Sequence, residues 1–172
     1  MNDVLSVTVL GLPIHALVVH FAVVMVPAAG FALIAAGVKP EWRNRYLWMA
    51  AGLAVVAAGA AIVTAASGEQ LQDTVRQSAR LAGSRATFGD HPEQGDMARN
   101  LAVLMALAGC GFVAVQRWGK KLALPAWTPT AAYAVTTVVS LAAIASIVIA
   151  GHSGATLVWK DLGNFVSASK AP

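Results

Sequence analysis

The chain has 172 residues, 58% of them hydrophobic and only 12% charged, with a formal net charge of +4. That balance excludes an ordinary soluble domain and a disordered chain, and it belongs to integral membrane proteins. The single cysteine, Cys110, excludes a disulfide framework or a cysteine-built zinc or iron–sulfur site within one chain.

Four apolar runs, at about residues 14–36, 46–66, 98–116 and 131–150, each approach the ~20 residues a helix needs to cross the hydrocarbon. The predicted fold is an all-α integral membrane protein, a four-transmembrane-helix bundle in one membrane domain over residues 1–172. A short amphipathic helix is expected in the loop 67–97. Ahead of the first run stands Asp3 with no Lys or Arg, so the basic start of a cleavable signal peptide is missing and the first span is expected to be retained. Pro13 suits a first helical turn, and Pro27 is a kink that neighbouring helices tolerate.

The connection after the first run carries Lys39, Arg43 and Arg45 against Glu41, and the one after the third carries Arg117, Lys120 and Lys121. Cations mark cytoplasmic loops, so both termini and the middle loop are expected on the periplasmic side of a bacterial inner membrane. Trp42, Trp48, Trp118 and Trp127 flank the basic loops as interfacial anchors, leaving Trp159 for the other surface. The positive charge is therefore a topology signal, and no nucleic-acid partner is expected.

In the middle loop, Leu71, Val75, Ala79 and Ala82 recur at helical spacing among Gln72, Asp73, Arg76, Gln77 and Arg80, predicting the amphipathic helix, which Gly83 and Ser84 then break. Asp90, His91, Pro92, Glu93, Gly95 and Asp96 read as a turn into the third run. Cys110, mid-span, is expected to pack as a small apolar residue.

All four histidines, His15, His20, His91 and His152, fall at one end of the predicted spans. His15 and His20 differ by five residues, about 140° in direction and ~7.5 Å in depth on an ideal helix, so they do not grip one ion from one face. The offset suits two tasks, with His20 deeper inside the bundle and His15 at the rim. Haem fits such a layout because it takes neutral imidazoles from facing helices, and small residues such as Gly30, Gly52, Gly59, Gly109 and Gly111 make room or simply let helices pack. Glu69, Glu93 and Asp96 gather at the same end, where they would orient histidines, relay protons, bind a metal directly, or balance Arg76, Arg80, Arg85 and Arg99.

Gly11-Leu12-Pro13-Ile14-His15-Ala16-Leu17-Val18-Val19-His20, then Ser67-Gly68-Glu69, then His91-Pro92-Glu93-Gln94-Gly95-Asp96, then Gly151-His152-Ser153-Gly154-Ala155 with Val158-Trp159 follow one another along the chain. In that order they resemble the bacterial membrane family called domain of unknown function 2231. Ala16 departs from the proline usual there. The resemblance implies a four-helix membrane protein, suspected of binding b-type haem through its motif histidines and of associating with redox proteins.

No phosphate-cradling glycine loop, dinucleotide fingerprint or nucleophile elbow occurs, so soluble-type hydrolase or nucleotide chemistry is not expected. The leading expectation is a b-type cytochrome-like electron-transfer subunit, with one or two haem b groups and with a membrane quinone, a redox partner protein or a membrane complex as partner. His20 and His152 are the first ligand pair, with His91 and His15 as the second. The alternatives are a non-haem protein holding Zn, Cu, Mn or Fe on His15, His20, His91 and His152 with Glu69, Glu93 and Asp96, and a cofactor-free accessory subunit of a larger respiratory or photosynthetic complex.

Overall fold

The computed structural model describes residues 8–9 and 12–168, with side chains described over 14–160. Asp3 and Gly11 lie outside the described residues. A two-residue antiparallel pair, β1 (Thr8–Val9) with β2 (Leu12–Pro13), precedes four helices: α1 (Ile14–Val38), α2 (Pro40–Leu81), α3 (His91–Trp118) and α4 (Thr128–Ala168). All four are long and apolar enough to cross a membrane. They form an up-down-up-down ring in which each helix packs on its two neighbours, while α1 and α3 scarcely meet across the diagonal.

What holds the ring together is a seven-residue repeat of buried side chains, most of them small. Ala22, Val26, Ala29, Leu33 and Ala36 are buried on α1, and Leu47, Ala54 and Ala61 on α2. Ala98, Ala102, Met105 and Phe112 do the same on α3, and Thr136, Ser140, Ala143, Ile147 and Ala150 on α4. Spacing of alternately four and three residues keeps one stripe facing the partner as helices supercoil. Alanine at these positions lets backbones approach closely, which is what drives association where lipid is as apolar as the side chains. Many larger apolar residues, among them Val24, Phe31, Ile62, Leu107 and Val138, point outward, while Leu33, Met105 and Phe112 are large side chains buried within the stripes. Cys110 is exposed too, on that outward face rather than in the packed interior the sequence suggested.

The helices extend further than the apolar runs. The amphipathic segment expected as a separate outer helix is the continuation of α2, unbroken through Ser67-Gly68-Glu69. One mid-helix glycine costs only ~1 kcal/mol against alanine, too little to break a helix already propagating. The break does come at Gly83, whose φ of +70° suits glycine, with the Ala82, Gly83 and Ser84 amides donating to the Ser78, Arg80 and Ala79 carbonyls. Residues 67–81 thus carry the helix about 22 Å past the apolar run. Likewise the stretch read as a turn before the third run is helix from His91 onward, with Pro92 in the first turn, where its missing N–H costs nothing, and Glu93 beside it, where an acid favours the helix dipole. Arg43 and Arg45 lie in the first turns of α2 and Arg117 in the last turn of α3, so the basic connections shrink to Lys39 and residues 119–127.

Candidate metal centre at the histidine end

Extending each buried stripe by one more repeat identifies the site. Seven residues before Ala22 is His15, and seven before Ala98 is His91; seven after Ala61 is Gly68, and seven after Ile147 is Gly154. The next layer of the core therefore consists of two imidazoles and two glycines. The structure pairs them: a Cβ added to Gly68 would stand 3.0 Å from His15 Cε1, and one added to Gly154 would stand 2.8 Å from His91 Cε1. Each ring lies against the backbone of the next helix in the ring of four. The α1–α2 and α3–α4 hairpins thus repeat one device, a histidine at the head of the first helix laid on a Ser-Gly step of the second.

The hydrogen bonds fix the tautomers. His15 Nδ1–H donates to the Thr64 carbonyl at 3.0 Å, with Ser67 Oγ 3.4 Å away. A carbonyl only accepts, so in the neutral ring the proton sits on Nδ1 and the lone pair on Nε2. Ser153 Oγ gives its hydrogen to the Ala150 carbonyl and accepts from His91 Nδ1–H at 3.0 Å, with the same result. His15 and His91 each stand at the first turn of their helix, at the same end of the bundle. One helical turn after His91, and so on the same face of α3, Gln94 buries its Oε1 without a hydrogen-bond partner among the described residues. Among the described residues the two imidazole Nε2 atoms and this amide oxygen have no hydrogen-bond partner, and imidazole nitrogen is a donor that a borderline transition-metal ion takes.

His20 and His152 are not in this layer. Both are exposed, His20 between Leu17 and Phe21 on the outer face of α1, and His152 four residues after Val148 on the outer face of α4. The expectation that His20 reaches into the bundle is corrected: the 140° offset turns it out of the stripe that holds His15. His20 Nδ1–H is given to the Ala16 carbonyl, and Nε2 has no partner among the described residues. The two exposed rings flank the α1–α4 contact, where Val23 lies against Gly151.

The carboxylates also separate from the imidazoles. Arg99 lies 2.9 Å from Asp96 and 3.8 Å from Glu69, so both acids are engaged by a cation at the rim, and Glu93 is exposed. Among the described residues no three His, Cys, Asp or Glu side chains converge. Gln94, Thr64 and the two glycines had no place in the ligand set read from the sequence. The signal that finds the two glycines is the seven-residue register, carried past the apolar runs.

No curated protein and no solved structure matches the chain. The model of the family described as Predicted membrane protein (DUF2231) matches residues 11–164, nearly the whole chain, and the protein belongs to that family.

Proposed function

We propose that the protein is a membrane metal-binding protein whose ion is held at the outward-facing mouth of the bundle by Nε2 of His15 and His91, with Gln94 Oε1 beside them. The observation that carries this reading is the pair of rings, each donating Nδ1–H to a fixed acceptor and each backed by a glycine, so that both Nε2 lone pairs are left for a ligand. Paired imidazoles suit zinc, copper or iron. The cation-rich end supports placing the histidine end outside the cytoplasm.

The haem reading survives in a different place. A macrocycle does not fit between His15 and His91, because the stripe below them is closed by Ala22, Ala98 and Ala150, all buried, and the rings already rest on backbone. The donor chemistry fits on the outer α1–α4 face, where His20 and His152 project from apolar surface, the pair of ligands first expected. There a haem b would supply one-electron chemistry, exchanging electrons with a quinone or a protein partner. Histidines on a lipid-facing surface are costly enough to call for a functional reason.

One purification tests both readings. The full chain, isolated from membranes, is analysed for metals and by a reduced-minus-oxidised spectrum, alongside H15A/H91A and H20A/H152A. The ion reading expects stoichiometric metal lost only in H15A/H91A. The haem reading expects a Soret band lost only in H20A/H152A. Neither metal nor Soret band in the native protein removes both and favours a cofactor-free accessory subunit.

A further inference from the structure

The opposite end of the bundle carries a second site, of the opposite chemistry. Between the start of α2 and the end of α3 lies a cavity of about 50 Å³ lined by Arg43, Asn44, Leu47, Trp48, Val113, Gln116 and Arg117. That exceeds what a single water fills, about 10–15 Å³ on the same measure. Two of its lining side chains hold buried N–H groups without an acceptor among the described residues: Arg43 Nε and Gln116 Nε2. A buried donor left unpaired is costly, and two at one cavity call for a shared acceptor.

Arg43 is held ready rather than free. Its Nη2 donates to the Gly37 carbonyl at 2.7 Å, and its guanidinium lies 5.5 Å from the Phe112 ring centroid and 5.9 Å from that of Tyr133. A guanidinium fixed in this way loses little entropy on meeting an anion. The surroundings agree in sign: Lys39, Arg45, Arg117, Lys120 and Lys121 lie at the same end, against the single acid Glu41. Trp48, which lines the cavity, is exposed on the face where indoles settle at a membrane surface.

We propose that this cavity binds a phosphate group, with Arg43 Nε–H, the Gln116 amide and Arg117 as donors. Its place at the membrane surface makes an anionic phospholipid headgroup of the adjoining leaflet one source, and free phosphate the other. Basic pockets between spanning helices serve headgroups in this way. The site lies at the other end of the bundle from the histidines and does not depend on what they bind.

The test titrates the delipidated full chain in detergent with short-chain phosphatidylglycerol, phosphatidylcholine of the same chain length, and inorganic phosphate, reading binding by native mass spectrometry and thermal shift. Phosphatidylglycerol should bind at one per chain and raise the unfolding temperature, and R117Q and Q116L should each weaken it by about tenfold, the loss of one charge-assisted or buried hydrogen bond. R117Q changes an exposed side chain and keeps the protein folded, so the test does not rest on Arg43, whose replacement disturbs packing. Inorganic phosphate binding as tightly as the lipid assigns the site to the free anion. Equal binding of phosphatidylcholine, or unchanged affinity in both variants, overturns the proposal.

Discussion

Replacing Gly154 by alanine is the sharpest probe of the imidazole layer. The new Cβ would stand 2.8 Å from His91 Cε1 and 3.2 Å from Nε2. Non-bonded carbons settle at about 3.5–4.0 Å, so the ring must retreat by about 0.7 Å or more. Its bond to Ser153 Oγ is 3.0 Å long, and a retreat of that size along it reaches about 3.7 Å, beyond a hydrogen bond. The cost is a buried donor left unpaired, about 1–3 kcal/mol, offset by the ~1 kcal/mol helix preference of alanine over glycine. Gly95 supplies the internal control: it lies in α3 one turn after His91, and a Cβ there meets nothing within 4 Å. G95A therefore takes the helix gain without the clash. Heat unfolding of the two variants in detergent should separate them by about 1–3 kcal/mol, and G154A should lose metal affinity by about tenfold or more because a ligand's supporting contact is displaced. If the two variants unfold within about 0.5 kcal/mol of one another and bind metal equally, the ring is not seated on Gly154 and the reasoning fails.

Further outcomes follow from the same geometry. S153A removes the acceptor of His91 Nδ1–H and should cost about 1–3 kcal/mol, whereas S67A leaves His15 its shorter bond to the Thr64 carbonyl and should cost less than about 1 kcal/mol; denaturation in mixed detergent reads the difference. F112A empties a fully buried position beneath Arg43 and Tyr133, and about 3–5 kcal/mol of stability should go with it, measured the same way. R99Q, by contrast, breaks only partly exposed rim contacts and should stay within about 1 kcal/mol of the native protein while leaving metal content unchanged. A cysteine placed in the 84–90 loop should react with a membrane-impermeant thiol reagent added to intact cells, and one at residue 122 only after permeabilisation; the reverse would invert the proposed orientation.

The four spans are legible in the sequence because an apolar run of about twenty residues between polar connections is what a membrane-crossing helix requires. The gathering of histidines at one end is legible for the same reason, since depth along a span is simple counting. Which histidine faces inward is not. Alanine, valine and leucine cover the lipid side and the packed side of α1 alike, so hydrophobicity does not distinguish the stripe of Ala22, Ala29 and Ala36 from that of Phe21, Val24 and Phe31. Residue size separates them in part: alanine recurs every seven residues at Ala22, Ala29 and Ala36, although Val26 and Leu33 between them are large and buried. On that criterion His15 falls in the stripe and His20 out of it. The end of α2 is hidden for a related reason. Polar residues after Ser67 signal departure from the lipid, and a helix that leaves the lipid need not end there.

The proposed metal-binding pair is His15 and His91. Its most direct test is zinc binding to the full-length protein in detergent after chelator stripping, followed by equilibrium titration of native, H15A/H91A and H20A/H152A chains. One zinc should bind per native chain, be retained in H20A/H152A and be lost in H15A/H91A. Equal zinc binding by H15A/H91A and the native chain would contradict that assignment.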